Sequence, residues 1–178
     1  MATRADGSRT AWRRELRARL RAKAARVGVV GLGYVGLPML VSAIRVGFEG
    51  VGVDTDADRV ASLLAHRSYV DDVPDPILRD LADDLAVSTD AAVLARCDVI
   101  VVCVPTPLRD HEPDLRFVEL ASEAVARHLR PGALVILEST TYPGTTDEIM
   151  RPILERGGLV AGRDFALAYS PERIDPGR

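Results

Sequence analysis

Short apolar runs alternate along this chain with stretches whose apolar residues recur at helical spacing. Val27–Val30, Gly50–Asp54, Leu85–Thr89, Asp98–Pro105, Ala133–Thr140 and Phe165–Pro171 read as strands. Asp98–Pro105 is almost wholly apolar, as a strand covered on both faces must be. Between the strands, Tyr34–Val46, Ala57–Ala65, Asp90–Ala95, Phe117–Leu129 and Thr146–Glu155 read as helices. Tyr69–Leu85 is polar, punctuated by Pro74 and Pro76, and holds a short helix toward its end. This alternation predicts an α/β fold: a doubly wound parallel sheet between two helical layers, three-layer α/β/α. There is no internal repeat.

The first 25 residues stand apart, so the chain divides into a basic leader, 1–25, and one domain, 26–178. At 178 residues the chain is long enough to bury a real core. Residues 1–26 carry nine Arg or Lys against two acids, a net +7. The remainder carries 14 basic and 24 acidic residues, a net −10, which argues against nucleic acid as the main partner. Trp12, Leu16, Leu20 and Ala24 recur every four residues, so the leader can form a basic amphipathic helix. The plainest expectation is nevertheless a solvated or frayed leader, helical or disordered; contact with an acidic surface, a membrane or RNA is the other reading. It lacks the apolar core of a secretory signal, and no apolar run approaches membrane-span length. Cys97 and Cys103 are not spaced as CxxC and lie in or beside apolar runs, which fits reduced, buried thiols in a cytoplasmic protein.

Chemistry first changes the picture at Gly31-Leu32-Gly33-Tyr34-Val35-Gly36. This GxGxxG falls between a predicted strand and a predicted helix, where a Rossmann-type fold binds a dinucleotide. The first glycine permits the tight turn, the second lets backbone approach a pyrophosphate, and the third lets helix pack on strand. The helix N-terminus offers its amides and partial positive charge to the phosphates. Asp54 ends the second strand, where a carboxylate binds the ribose hydroxyls of NAD and repels the extra phosphate of NADP. Arg59 follows five residues later, within reach of the ribose or adenine side.

Ligands of such sheets bind beyond the carboxyl ends of the strands, and three polar motifs fall there. Val104–Leu108 has Pro105 and Pro107 around Thr106, a stiff loop suited to lie along a cofactor. Glu138–Thr146 places the hydroxyls of Ser139, Thr140 and Thr141 at a strand end, and Ser170–Arg178 holds Glu172 beside Arg173. His66, His111 and His128 are scattered, and the acids between Asp71 and Asp84 lack calcium-loop spacing. No cysteine–histidine set has zinc spacing, so no metal is expected.

Taken as an ordered set, VGVVGLGYVGLP, GVD, CVPTPL, ESTTYPGTT and SPERIDPG resemble the N-terminal, NAD-binding domain of the UDP-glucose/GDP-mannose dehydrogenase family. The last two forms are most similar to the branch that oxidises UDP-N-acetylhexosamines, the UDP-N-acetylglucosamine 6-dehydrogenases above all. The resemblance runs from about Val27 to Arg178. It implies NAD-dependent oxidation of the C6 alcohol of a UDP-sugar to the uronic acid, for polysaccharide precursors, by a full-length cytoplasmic homodimer. It implies that Gly31, Leu32, Gly33, Tyr34, Val35 and Gly36 hold the pyrophosphate, and that Asp54 and Arg59 hold the adenosine ribose. It implies that Val104, Pro105, Thr106, Pro107, Ser139, Thr140 and Thr141 line the cofactor. Thr140 matches a threonine that positions the reacting water, Glu172 matches a glutamate that assists proton transfer, and Glu172 with Arg173 would meet the substrate. Pro176 stands where the UDP-glucose type has a second glutamate, which speaks against that branch. In the family the cysteine nucleophile, the dimer helix and the UDP-binding domain come after the last motif present here, so this chain is expected to bind NAD and turn nothing over alone. A stand-alone NAD-binding or regulatory module, tethered by its leader, is the alternative.

Overall fold

A computed structural model of the chain describes residues 5–109 and 112–171. Six parallel strands form one sheet: β1 (Arg26–Val30), β2 (Glu49–Val53), β3 (Leu85–Ser88), β4 (Val99–Val102), β7 (Leu134–Glu138) and β8 (Ala166–Ser170). Their spatial order is β3-β2-β1-β4-β7-β8. A separate two-residue pair, β5 (Leu108–Arg109) with β6 (Glu112–Pro113), makes a small antiparallel hairpin after β4. The order runs outward from β1 in both directions, so the chain reverses between β1 and β4 and leaves a crevice at their carboxyl ends.

Side chains alternate between two apolar layers, as a pleated strand requires. From β4, Val99 and Val101 join one layer with Leu37, Leu40, Val41 and Ile44 of α2 (Gly36–Arg45) and Leu63 of α3 (Ala57–Leu64). Ile100 and Val102 join the other, with Val118 and Val125 of α5 (Arg116–Ala126), Met150 and Leu154. Right-handed crossovers produce this division: connections leading from β1 toward β3 cover one face, and those leading from β4 toward β8 cover the other. Both faces are thus covered, as the alternation of runs predicts.

Two segments depart from the expected helices. Asp90–Ala95 was expected to be helical; the structure has a 3₁₀ turn, Ala91–Arg96, which the Asp90 side chain caps by accepting from the Ala92 amide. The stretch buries Leu94, which packs where a Cβ on Gly28 would come within 2.8 Å of it. Thr146–Glu155 opens as a π-helical turn, Thr146–Met150, before α6 (Arg151–Leu154). Pro152 has no amide hydrogen, so a regular ladder cannot run unbroken through it. Between α3 and β3 lies α4 (Asp75–Asp80), the short helix foreseen in the polar stretch.

The leader is not a solvated arm. It forms α1 (Ala5–Arg21), whose Leu16 is buried and whose Trp12 and Leu20 pack on the α2 layer together with Leu134 and Ile136 of β7. Trp12 Nε1 donates to the Arg163 carbonyl at 2.9 Å, and Arg13 donates to the Gly162 carbonyl. Arg19 pairs with Asp98 at 2.8 Å. Asp98 is almost fully buried and also accepts from the Arg26 amide and from Arg130, so one carboxylate ties α1, β1, β4 and the turn into β7. The α2 side of β7 has no crossover helix of its own to cover it, and α1 supplies the cover.

Candidate functional site

At the end of β1 the chain turns at Gly31, whose φ of +89° few other residues tolerate. Its amide donates to the Val53 carbonyl at 2.8 Å, fixing the turn against β2. A Cβ on Gly36 would stand 1.8 Å from the Gly31 carbonyl oxygen, so only glycine lets α2 start this close to the strand. Gly33 is different. A Cβ there would meet nothing within 4 Å, because this backbone borders open space. No side chain caps the N-terminus of α2, and no acid lies in its first turn. An uncapped helix start beside an open glycine fits a bound pyrophosphate.

Asp54 sits at the mouth of this turn, 7 % exposed. One of its oxygens, Oδ2, accepts from the Leu32 amide at 2.8 Å, and Oδ1 accepts from the Asp56 amide at 2.9 Å. A carboxylate has roughly four acceptor positions, so acceptor capacity is left for ribose hydroxyls. Arg59 stands on the first turn of α3, with Nη1 3.6 Å from Asp54 Oδ2 and Nε 3.4 Å from Asp56. Asp56 caps that helix, accepting from the Asp58 and Arg59 amides.

Tyr69 completes the cluster, and the polar stretch containing it gave the sequence no signal for such a role. Its hydroxyl donates to the Leu32 carbonyl at 2.8 Å across 37 residues of chain. Its ring lies 5.6 Å from the Arg59 guanidinium carbon. Burial, and then the nearby Asp54 charge, push its pKa up to about 12, so it remains a protonated donor at any physiological pH.

The motifs after β4 and β7 meet at the same sheet edge. The Ser139 hydroxyl donates to the Val104 carbonyl at 2.8 Å, and the Thr106 hydroxyl donates to the Thr140 carbonyl. Ser139 is buried, and Thr141 shares a 2.7 Å hydrogen bond with buried Thr145. Those hydroxyls brace the loops, whereas the Thr140 side chain is exposed. Tyr34 is exposed while Leu32 and Val35 are buried, and Pro105 and Pro107 flank Thr106 on the open rim. Glu172 and Arg173 lie outside the described residues. Cys97 and Cys103 are buried, and burial pushes the Cys97 thiol up to about 11. Among the described residues, no group of His, Cys, Asp and Glu could hold a metal, and no helix is long and apolar enough to cross a membrane.

Residues 25–178 match the family model for the UDP-glucose/GDP-mannose dehydrogenase family, NAD binding domain. A UDP-N-acetyl-D-glucosamine 6-dehydrogenase of Pseudomonas aeruginosa is 42% identical over 158 residues, covering 85% of this chain and 36% of that protein. Protein CapL of Staphylococcus aureus is 39% identical over 153 residues, covering 85% of this chain and 35% of that protein. The solved UDP-D-ManNAc dehydrogenase of Pyrococcus horikoshii superposes with a TM-score of 0.81 at 37% identity, over 86% of this chain and 37% of that one. The chain therefore spans little more than a third of the length of these relatives.

Proposed function

Because the chain belongs to the UDP-glucose/GDP-mannose dehydrogenase family, as its NAD-binding domain, we propose that it is the cofactor-holding part of an enzyme that oxidises the C6 alcohol of a UDP-sugar to the uronic acid. The substrate is a UDP-N-acetylhexosamine, which the names of the relatives support. In the same reading the full-length protein works as a cytoplasmic homodimer without a nucleic-acid partner.

When bound, NAD would supply the acceptor for the hydride of the alcohol carbon. This chain's residues bind and orient it. The turn Gly31–Gly36 and the start of α2 present amides to the pyrophosphate. Asp54 accepts from the ribose hydroxyls, and its nearly buried charge opposes a 2′-phosphate, which selects NAD over NADP. Val104–Pro107 and the Ser139–Thr141 loop, pinned to each other, wall the path toward the sheet edge. Thr140 presents a hydroxyl there to order a water, and Glu172 serves as the proton acceptor with Arg173 against the substrate. Neither described cysteine suits attack on an aldehyde, since Cys97 is buried with a raised pKa and Cys103 is buried under the glycine turn. The chain alone therefore holds NAD without turning over.

The observation that carries this reading is the uncapped glycine turn with Asp54 closing it. Calorimetric titration with NAD and NADP, on this chain and on Asp54→Ala, tests it. NAD binding that falls about 10- to 100-fold in the variant, with NADP far weaker, is expected for loss of a charged hydrogen-bonding partner. No NAD binding by the folded chain overturns the reading. NADH formation by this chain with UDP-N-acetylglucosamine overturns its inactivity.

A further inference from the structure

We propose that Tyr69 is a positioning residue of the cofactor site, holding the Leu32 carbonyl so that the glycine turn keeps its amides aimed at the pyrophosphate. The proposal rests on the NAD-binding reading above and deepens it. Leu32 is the residue between the first two glycines, and both of its backbone polar groups are claimed from outside the turn. Its amide donates to Asp54 and its carbonyl accepts from Tyr69, each at 2.8 Å. Its side chain is fully buried beneath β2, where a Cβ on Gly52 would come within 2.7 Å of it. The Leu32 carbonyl belongs to the peptide that carries the Gly33 amide, so the Tyr69 hydroxyl sets the tilt of the plane that faces open space at Gly33.

Tyr69 is itself held. The preceding Ser68 donates its amide to Asp75 Oδ1 at 2.7 Å, at the start of α4, and its hydroxyl bonds to Val70. Val70, Val73 and Leu78, which follow Tyr69, are buried in the α2 layer and anchor the loop. The Tyr69 ring is still 39 % exposed, and the Arg59 guanidinium faces it. A side chain serving the core alone would leave less of its ring open. The phenol stands between the turn that faces phosphate and the Asp54–Arg59 pair that faces ribose, and it links the two.

Tyr69→Phe deletes the hydroxyl and keeps the ring against Arg59. Calorimetry with NAD, ADP and adenosine is run on both proteins, with amide hydrogen exchange read at Gly31 and Leu32 and across the sheet. The expected result is a loss of about five- to tenfold for NAD and for ADP, the worth of one hydrogen bond, with adenosine binding unchanged. Exchange speeds up at Gly31 and Leu32 only, whose amides are held by Val53 and Asp54. Unchanged ADP affinity, or an equal loss for adenosine, overturns the proposal, as does faster exchange throughout the sheet or a variant that fails to fold. If the parent chain binds no NAD, the cofactor reading falls, and local exchange at Leu32 still decides whether Tyr69 holds the turn.

Discussion

Gly33→Ala separates folding from binding at the glycine turn. A Cβ at this position meets nothing within 4 Å, and the Gly33 backbone lies outside the left-handed region, so alanine enters without collision or strain. The variant should be as stable as the parent or up to about 1 kcal/mol more stable, because alanine restricts the unfolded chain. The same methyl occupies the space through which a pyrophosphate approaches the turn. Displaced phosphate loses one or two charge-assisted bonds to amides, about 1.5–3 kcal/mol, or roughly 10- to 150-fold in affinity. Gly36→Ala is the control with opposite logic: its Cβ would lie 1.8 Å from the Gly31 carbonyl oxygen, so the helix must move and stability falls by about 3 kcal/mol or more. Urea melts give the stabilities, and calorimetric titration with NAD gives the affinities. A Gly33→Ala protein that binds NAD as tightly as the parent refutes the assignment of this backbone to phosphate. One that unfolds refutes the claim that the position is open.

Two further outcomes follow from buried groups. Asp98→Asn removes the charge shared by Arg19, Arg130 and the Arg26 amide, and should cost about 2–4 kcal/mol in urea melts while shifting Trp12 fluorescence as α1 loosens; an unshifted midpoint sinks the idea that Asp98 latches the leader. Cys97 and Tyr69 both have folded-state pKa values above their ordinary ones, about 11 and about 12. Their stabilising contribution is complete below their unfolded values near 9 and 10 and is lost as pH rises through the folded ones. Thermal melts from pH 8 upward should therefore show falling stability above about pH 9, less steeply in Cys97→Ala, and a flat profile contradicts this.

The strands and the glycine turn are legible in the sequence because both depend on local pattern. Parallel strands buried on two faces must be apolar throughout, and a tight strand-to-helix turn must carry glycines where Gly31 and Gly36 stand. Asp54 is legible for the same reason, being fixed to the end of a recognisable strand. Tyr69 is not, since its partner lies 37 residues away and its neighbours are the polar residues any loop contains. The docking of α1 is hidden for another reason. Its four-residue repeat predicts an apolar stripe, but the surface that receives the stripe exists only because the crossovers around β7 put their helices on the opposite face. Thr146–Met150 departs from plain helix just ahead of Pro152, and Ala91–Arg96 is a short 3₁₀ turn held between its Asp90 cap and the extended Cys97.

The position of α1 also sets an order of events during synthesis. Trp12 and its acceptor on Arg163 are 151 residues apart, and the other surfaces that receive the helix include β7. At about 5–20 residues per second, a ribosome needs roughly 8–30 seconds to add that much chain after Trp12 is joined. Throughout that interval α1 is an amphipathic helix-former with its apolar stripe unmatched. The crossover helices α2 and α3 pack on strands made just before and after them, whereas α1 waits for surfaces more than a hundred residues further along the chain.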